Sequence, residues 1–513
     1  MRDKSIARNV GWNVIGQVAP ILVAIVSVPL LIHTLGLERF GFLGLAWALI
    51  GYAGVFDFGI GRALTRVVAY RLGKAEPDRA LHAARVGSML MLGLGIIIGA
   101  ALWLAVPVLV ERVLKIPASL QAEARVALVL LAVSMPAVLV TSAWRGVLEA
   151  GQEFARLNLI RVGMGLLTYL APLVASLVWP RLEAVVLSVI AMRLVGAWLH
   201  ARACRIAFGS MLQFERPDRS TIGALFGLGG WMSVSNIVSP LLTYLDRFII
   251  AHRLAIEQVA YYATPYDLIT RTLMLPYSLM AVIFPVLAGK SGKEDELRAM
   301  YATSLRLLWV LMWPVVFTAI VLAKPLLTLW LGPGFAATGT AILQLLAAGV
   351  FVSALAQAPV NLIQAAGSPK WVAVLHLIEL PLFIAVLWQA IGMQGVRGAA
   401  MVWVGRLLFD AIVLFIFAHR QLPAGGMPAA WWLKCSLFCA VTLLVGLFAP
   451  SLWTQLAAWF FGMLTFLVFA WWFLLVESDR EWLRVRVLAF VGKARPLGAV
   501  TAGSPPVDIG KVT

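Results

Sequence analysis

Three arginines, Arg193, Arg271 and Arg406, each stand about ten residues inside a long apolar stretch, roughly 15 Å deep at helical rise. A guanidinium in such surroundings costs several kcal/mol unless it meets a carboxylate or a water-filled cavity. Its planar fork of donors suits phosphate and pyrophosphate, so three of them at one depth point to capture of a multiply charged anion. Asp57, Asp267, Glu379 and Asp410 accompany them. Acids so placed take up a proton or Na⁺ where they face water and neutralise an arginine where they do not. Asp267 with Arg271, and Arg406 with Asp410, share a helical face at i, i+4, so internal pairing is as reasonable an expectation as a ligand. Arg193 has no acid within a turn, which makes it the strongest cavity candidate; pairing with Asp57 or Glu379 across helices is the alternative. A shallower set, Arg62, Arg66, Arg145 and Arg161, lies near the ends of apolar stretches. It would draw an anionic headgroup toward an opening, or simply fix membrane orientation.

The elements that must position these residues are apolar windows of roughly twenty residues. They fall near 10–32, 41–61, 86–110, 126–147, 157–179, 183–204, 222–248, 261–287, 303–323, 339–365, 371–391, 396–419, 431–449 and 453–476. The expected fold is therefore an all-α polytopic membrane protein with about 14 transmembrane helices. Composition agrees: 62% of residues are hydrophobic and 13% charged, too little polar surface for soluble globules. The net charge of +17 is spread in short clusters between apolar runs rather than gathered in one solvated face, which argues against nucleic-acid binding. Arg2, Lys4 and Arg8 imitate the start of a signal peptide. The run to Ile32 has no A-x-A end and is long enough to span, so it reads as the first helix. Prolines at 20, 29, 136, 240, 276 and 359 predict kinks.

Lys and Arg concentrate in alternate connections, with 62–85 and 202–219 expected as cytoplasmic loops and both termini cytoplasmic. The opposite connections are short and leave no room for a folded catalytic domain. Trp179, Trp330, Trp431, Trp432, Trp471 and Trp472 close apolar segments and read as interfacial anchors. Trp482, Leu483, Val487, Phe490 and Val491 beside Arg484, Arg486 and Lys493 predict an interfacial helix, with a disordered tail from Pro496.

The chain is also internally duplicated. His33, Leu35 and Glu38 recur at constant spacing as His252, Leu254 and Glu257, Gly73-Lys74 as Gly292-Lys293, and Arg79 as Arg298. Gly151 and Gly367, and then Arg193 and Arg406, continue the series after a few deleted residues. Six apolar helices per copy return the chain to its starting side, so the copies share one orientation, an arrangement typical of transporters. The predicted division is a first lobe over 1–215, a second over 216–422, two accessory helices over 423–478, and an interfacial helix with its tail over 479–513.

Several motifs fail on inspection. AGKS at 288–291 lacks the first glycine of a phosphate-binding loop, since Phe284 stands there, so no ATPase site is read. GLGIIIG at 93–99 lies inside an apolar span, where Gly95 and Gly99 suit close helix packing. Cys204, Cys435 and Cys439 form no even framework, and the last two, one turn apart on an apolar helix, have no His or acidic neighbours in sequence to complete a metal site. His33, His82, His200, His252 and His419 sit at helix ends and read as interfacial; His376 is deeper and is a weaker proton-relay candidate.

LGLERFGFLGL at 35–45, FDFGIGRA at 56–63, LDRFII at 245–250, YYATPYDLI at 261–269, FPVLA at 284–288, LWLGPGF at 329–335 and AAGSPKW at 365–371 occur in an order that resembles the Wzx-type polysaccharide flippases. These belong to a wider group with lipid II flippases and MATE exporters. The resemblance spans nearly the whole chain and implies two six-helix lobes around a cavity of alternating access. Helices 1, 2, 7 and 8 would line it and contribute Asp57, Arg62, Asp246, Arg247, Asp267 and Arg271. Helices 13 and 14 would form a platform for a lipid tail.

The implied cargo is an undecaprenyl-pyrophosphate-linked glycan moved between leaflets of a bacterial inner membrane, for polysaccharide or O-antigen synthesis. Its pyrophosphate would meet Arg193, Arg271 and Arg406 while its polyprenyl tail stays among membrane lipids. Implied partners are glycosyltransferases and a polysaccharide polymerase. No cofactor is expected, but coupling to H⁺ or Na⁺ through Asp57, Asp267, Glu379 or Asp410 is. Two other readings stand beside it. A membrane enzyme, such as an O-antigen polymerase or ligase, would need positioned groups on the outer side, where only scattered residues such as Arg39, Glu111, Arg112, Lys115 and Arg181 occur. A MATE-type drug or cation exporter would have to tolerate mid-depth arginines that repel its cargo.

Overall fold

The computed structural model describes residues 2–52, 57, 59–211, 213, 215–216, 218, 221–223, 230–289, 294–365, 370–421, 427–477 and 480. The expected interfacial helix and tail, and Lys290-Ser291 of the AGKS stretch, lie outside them. The described residues are almost entirely helical. In chain order the helices are α1 (Arg2–Tyr52), α2 (Ile60–Gly73), α3 (Pro77–Val108), α4 (Gln121–Ala150), α5 (Phe154–Val178), α6 (Leu182–Phe208), α7 (Gly230–Arg253) and α8 (Ile256–Thr270). They continue as α9 (Met274–Gly289), α10 (Glu294–Val321), α11 (Ala323–Leu331), α12 (Pro333–Ala365), α13 (Lys370–Gln421), α14 (Ala429–Leu447) and α15 (Leu452–Phe469).

Among the described residues, eleven segments are long and apolar enough to cross a membrane, which makes the chain a multi-pass membrane protein. Two helices, α1 with 51 residues and α13 with 52, are too long for one crossing at 1.5 Å per residue. Each holds one non-helical glycine: Gly36 (φ 78°, ψ 165°) in α1 and Gly395 (φ 59°, ψ −140°) in α13. Neither conformation is open to a residue with a Cβ without strain, so glycine sets both turns.

Five of the six prolines expected at kinks sit inside continuous helices. Pro20 and Pro29 lie within α1, Pro136 within α4, Pro240 within α7 and Pro359 within α12, all in continuous helix. Only Pro276 has a break beside it: residues 271–273 form a 3₁₀ turn between α8 and α9. A proline there has no N–H for the carbonyl four residues earlier, and the tighter turn absorbs the missing bond. At the corresponding place of the first repeat, α1 ends at Tyr52 and α2 begins at Ile60.

Helix also replaces most of the two expected cytoplasmic loops. α2 and α3 occupy 62–85 except for the turn at 74–76, and α6 runs on to Phe208. The apolar faces of α2, of the start of α3 and of the end of α6 join α4 in one core, so these positions bury side chains that a loop would expose.

Three large cores organise the bundle. One lies wholly within residues 60–211 and another within 280–474. The third joins α1, α4 and α6 to α7, α8, α12 and α13, so the two repeats share a packed seam. Gly95 and Gly99 do serve close packing. A Cβ on Gly95 would stand 2.5 Å from Pro136 Cα, and one on Gly99 2.5 Å from the Ala132 carbonyl oxygen. Trp431, expected as an interfacial anchor, is buried against Trp309 because α14 lies on α10; Trp179 and Trp472 are exposed as anchors would be.

Candidate functional site

A cavity of about 700 Å³ lies between the repeats. It is lined by the second half of α1 (Trp47, Ile50, Gly51), by α4, α5, α6 and α7, and by Asp267 and Arg271. Glycine lets two of these walls meet: a Cβ on Gly51 would stand 3.1 Å from the Tyr244 ring, and one on Gly165 2.7 Å from Pro20 Cγ. The lining runs toward the end of the bundle carrying the turn between α4 and α5, where Arg145 and Arg161 are exposed.

Five guanidinium groups line the cavity, from Arg145, Arg161, Arg193, Arg247 and Arg271, against the one lining carboxylate, Asp267. Arg247 is the most enclosed, 2% exposed. Its Nη2 lies 2.5 Å from Asp267 Oδ1 and its Nη1 3.5 Å from Oδ2, the forked geometry of the stronger ion pairs. The rings of Tyr244 and Tyr266 flank it, each 5.4 Å from Arg247 Cζ. The preceding residue, Asp246, accepts from the Arg247 amide at 2.7 Å and from the Tyr262 hydroxyl at 2.5 Å. One arginine is thus fixed by a shell that uses up its charge.

Arg193 and Arg271 are differently placed. Arg271 sits on the 3₁₀ turn that breaks the helix, where it donates to the Tyr169 hydroxyl and its Cζ lies 5.1 Å from the Tyr169 ring centre. Arg193 lines the cavity from α6, and its buried Nε has no hydrogen-bond partner among the described residues. A buried unpaired donor in a polar cavity is where an acceptor from outside would gain most.

The internal pairs expected from sequence are both replaced. Asp267 pairs with Arg247 on α7, not with Arg271 one turn along, because the 3₁₀ turn at 271–273 swings Arg271 toward Tyr169. Arg406 is absent from the cavity lining. Its Nη1 lies 3.7 Å from Glu379 Oε2, with Phe383 beneath the guanidinium at 5.6 Å, because α13 folds back at Gly395 and brings its own first half alongside. Asp410 lies instead near His376, Nε2 to Oδ2 3.9 Å. One ligand-type atom from each of His376, Glu379 and Asp410 falls within 4.8 Å of the others. Glu379 is 2% exposed, and neither of its oxygens is hydrogen-bonded among the described residues.

Arg62 and Arg66 are exposed on α2 and, like Asp57, are absent from the lining. Asp57 is buried and shapes the entry to α2: the Gly59 amide donates to its Oδ1 at 2.7 Å, and a Cβ on Gly61 would stand 2.8 Å from its Oδ2. Arg145 lines the cavity mouth and lies 3.6 Å from Glu149 on its own helix. Residue types and spacing passed over Tyr169 and Tyr244, and His200, expected as interfacial, is instead buried in the cavity wall with its Nδ1 2.7 Å from the Gly196 carbonyl oxygen. Arg247 entered only through the family resemblance, since six residues from the end of α7 it looks like an anchor.

A lateral crevice of about 510 Å³ adjoins this site, lined by Ile21 of α1 and by Thr270, Arg271, Met274, Tyr277, Ser278 and Ala281. Arg271 belongs to both walls, so the arginine at the broken helix stands where the central cavity meets a side opening.

A multi-pass helical bundle with a polar chamber between duplicated halves is the plan of a membrane transporter. Solved structures share this fold. An inward-facing MATE family transporter of the MOP superfamily superposes with a TM-score of 0.66 at 15% identity, over 79% of this chain and 94% of that one. The lipid II flippase MurJ, in an inward closed conformation, gives a TM-score of 0.67 at 13% identity, over 90% of this chain and 98% of that one. A Shigella flexneri protein provisionally named as an O-antigen transporter is 31% identical over 412 residues, covering 80% of this chain and 97% of the relative. Residues 6–289 match the family described as polysaccharide biosynthesis protein, and the chain belongs to that family.

Proposed function

We propose that the protein is a flippase that carries an undecaprenyl-pyrophosphate-linked oligosaccharide from the inner to the outer leaflet of a bacterial inner membrane, for O-antigen or another surface polysaccharide. The observation that carries this reading is the charge of the cavity, five arginines against one carboxylate. A pyrophosphate satisfies several guanidinium forks at once, and a water-filled chamber keeps sugars hydrated. The side opening at Arg271 lets a headgroup sit inside while its polyprenyl tail remains in lipid. The same charge disfavours a drug cation. The O-antigen transport named for the Shigella relative and the lipid II flipping named for MurJ agree with it.

Rocking of one repeat against the other about the shared seam would exchange access between sides. Coupling to H⁺ or Na⁺ belongs to the acids. Glu379 and Asp410 outnumber Arg406, so uptake of one cation there would balance the charge of the three.

The test is flipping of a pyrophosphate-linked lipid glycan in proteoliposomes, with Arg193, Arg247 and Arg271 each replaced by Ala and by Lys. Loss in the Ala variants and partial recovery with Lys are expected, since Lys keeps charge but not the fork. Wild-type rates in all three Ala variants would remove the anion-capture reading. Imposed pH and Na⁺ gradients in the same vesicles identify the coupling ion.

A further inference from the structure

Arg271 stands one turn from Asp267, but both Asp267 oxygens face Arg247, at 2.5 and 3.5 Å. The guanidinium of Arg271 is met instead by a phenol: it donates to the Tyr169 hydroxyl, and its Cζ lies 5.1 Å from the centre of that ring. A phenol oxygen accepts a hydrogen bond without cancelling a charge, and bonds to an ionised acceptor are roughly twice as strong. Tyr169 therefore occupies Arg271 and leaves it positive.

The contact also crosses from one repeat to the other. Tyr169 comes from α5, is buried, and meets Trp47 of α1 edge-on with ring centres 5.4 Å apart, so it is fixed to the first repeat. Arg271 comes from the second repeat, on the 3₁₀ turn between α8 and α9, and its long side chain lines both the chamber and the lateral crevice. A packed ring has little room to follow a moving guanidinium, so the bond breaks when either Arg271 or its repeat shifts. The other inner arginines lack such a tie: Arg247 is paired with Asp267, and Arg193 has no ion pair among the described residues.

We propose that Tyr169 is a stand-in for the cargo, holding Arg271 while the chamber is empty and displaced from it by an arriving pyrophosphate. The inference rests on the anion-capture reading. The exchange favours the anion, because a pyrophosphate oxygen offers Arg271 a charge-assisted bond in place of a bond to a neutral hydroxyl. Once Arg271 turns to the anion, one tie between the repeats is gone, and cargo in the chamber loosens the seam that must move for access to change sides. Tyr169 is thus a positioning residue that acts through Arg271. The tie also weakens apparent binding, since an anion meets a competent guanidinium only in the fraction of molecules where Arg271 is free.

Tyr169→Phe removes one oxygen and keeps the ring against Trp47. The measurement is calorimetric titration of the full-length protein in nanodiscs with inorganic pyrophosphate. Tyr169→Phe is expected to bind about tenfold more tightly than the wild type, the effect of removing one competing hydrogen bond to a charged group. In an Arg271→Ala background the same substitution should leave the affinity unchanged, which a general loosening of the chamber would not reproduce. Equal affinities of wild type and Tyr169→Phe would mean that the phenol does not compete, and weaker binding would make Tyr169 a ligand of the anion; either result overturns the stand-in. A gain in affinity that persists without Arg271 overturns it as well. A wild-type protein that binds no pyrophosphate would remove the anion-capture reading and this inference with it, an outcome distinct from the others.

Discussion

Arg193 and Arg406 occupy matching places in the duplicated halves, and their surroundings have made them opposites. Arg193 lines the shared cavity and has no ion pair among the described residues, whereas Arg406, whose Nε is likewise without a partner there, has Glu379 at 3.7 Å and Phe383 beneath it. The repeat spacing explains the difference. Where the second half has His376, Glu379 and Asp410, the first has Ile160, Gly163 and Ala197. Without a carboxylate the first arginine is available to a ligand; with two carboxylates nearby the second becomes part of a buried cluster. Duplication supplied one scaffold twice, and three differences in residue type accompany which copy of the arginine lines the cavity.

The largest expected effect comes from erasing that difference. A Cβ at Gly163 meets nothing within 4 Å, so Gly163→Glu has room to give Arg193 the acid that Arg406 already has. Flipping should fall roughly 100-fold, the loss of a charge-assisted contact of about 3 kcal/mol, with folding preserved. Unchanged transport in a folded Gly163→Glu protein would break the comparison. Next is Arg406→Ala, which strands the buried Glu379 and should destabilise the protein by about 3 kcal/mol in thermal or denaturant unfolding. Adding Glu379→Gln to that variant should recover most of the loss. If the double variant is no more stable than the single one, the pair is not what holds Arg406.

A smaller effect separates the two outer turns. Gly36 takes φ 78° while Ala255, its counterpart, is extended at φ −150°. Gly36→Ala should cost about 1–2 kcal/mol in the same unfolding measurement, and Ala255→Gly less than about 1 kcal/mol. Equal costs would mean that the two turns are not conformationally distinct.

How far these contrasts were legible in the sequence follows from the range of each signal. Apolar windows of bilayer length and the recurrence of His33, Leu35 and Glu38 are local patterns, and they led directly to a membrane bundle of two related halves. Arg193 was singled out by the absence of an acid within a turn, which is also local. Arg406 was misplaced because its true partner, Glu379, comes from beyond a glycine fold-back that helical spacing does not reveal. Asp267 was misassigned because a 3₁₀ turn changes which face Arg271 presents. Arg247 was hidden by its closeness to a helix end, where arginines ordinarily serve as anchors; only its aromatic and acidic shell marks it as interior.

The halves differ last in how they treat the start of their third helix. In the first half, His82 and Arg85 of α3 grip the segment after α6: Arg85 Nη1 lies 2.7 Å from Glu215 Oε1, and His82 lies 3.2 Å from both Glu215 and Asp218. The counterparts on α10 are Tyr301 and Ser304, both buried in a core that also holds Trp431 of α14. At this junction, only the first half should therefore respond to acid. The Arg85 hydrogen bond, and after it His82, holds the Glu215 carboxyl below its ordinary range. Its contribution is then complete at neutral pH and is lost as pH falls through that lowered value. Exchange in the 209–223 segment should rise by less than about tenfold on acidification below the usual carboxylate range, since the pair is solvent-screened. Glu215→Gln should show the faster exchange already at neutral pH and little further change, while peptides around Tyr301 stay constant. A wild-type segment insensitive to acid would mean that packing, not charge, ties the first half to its connection.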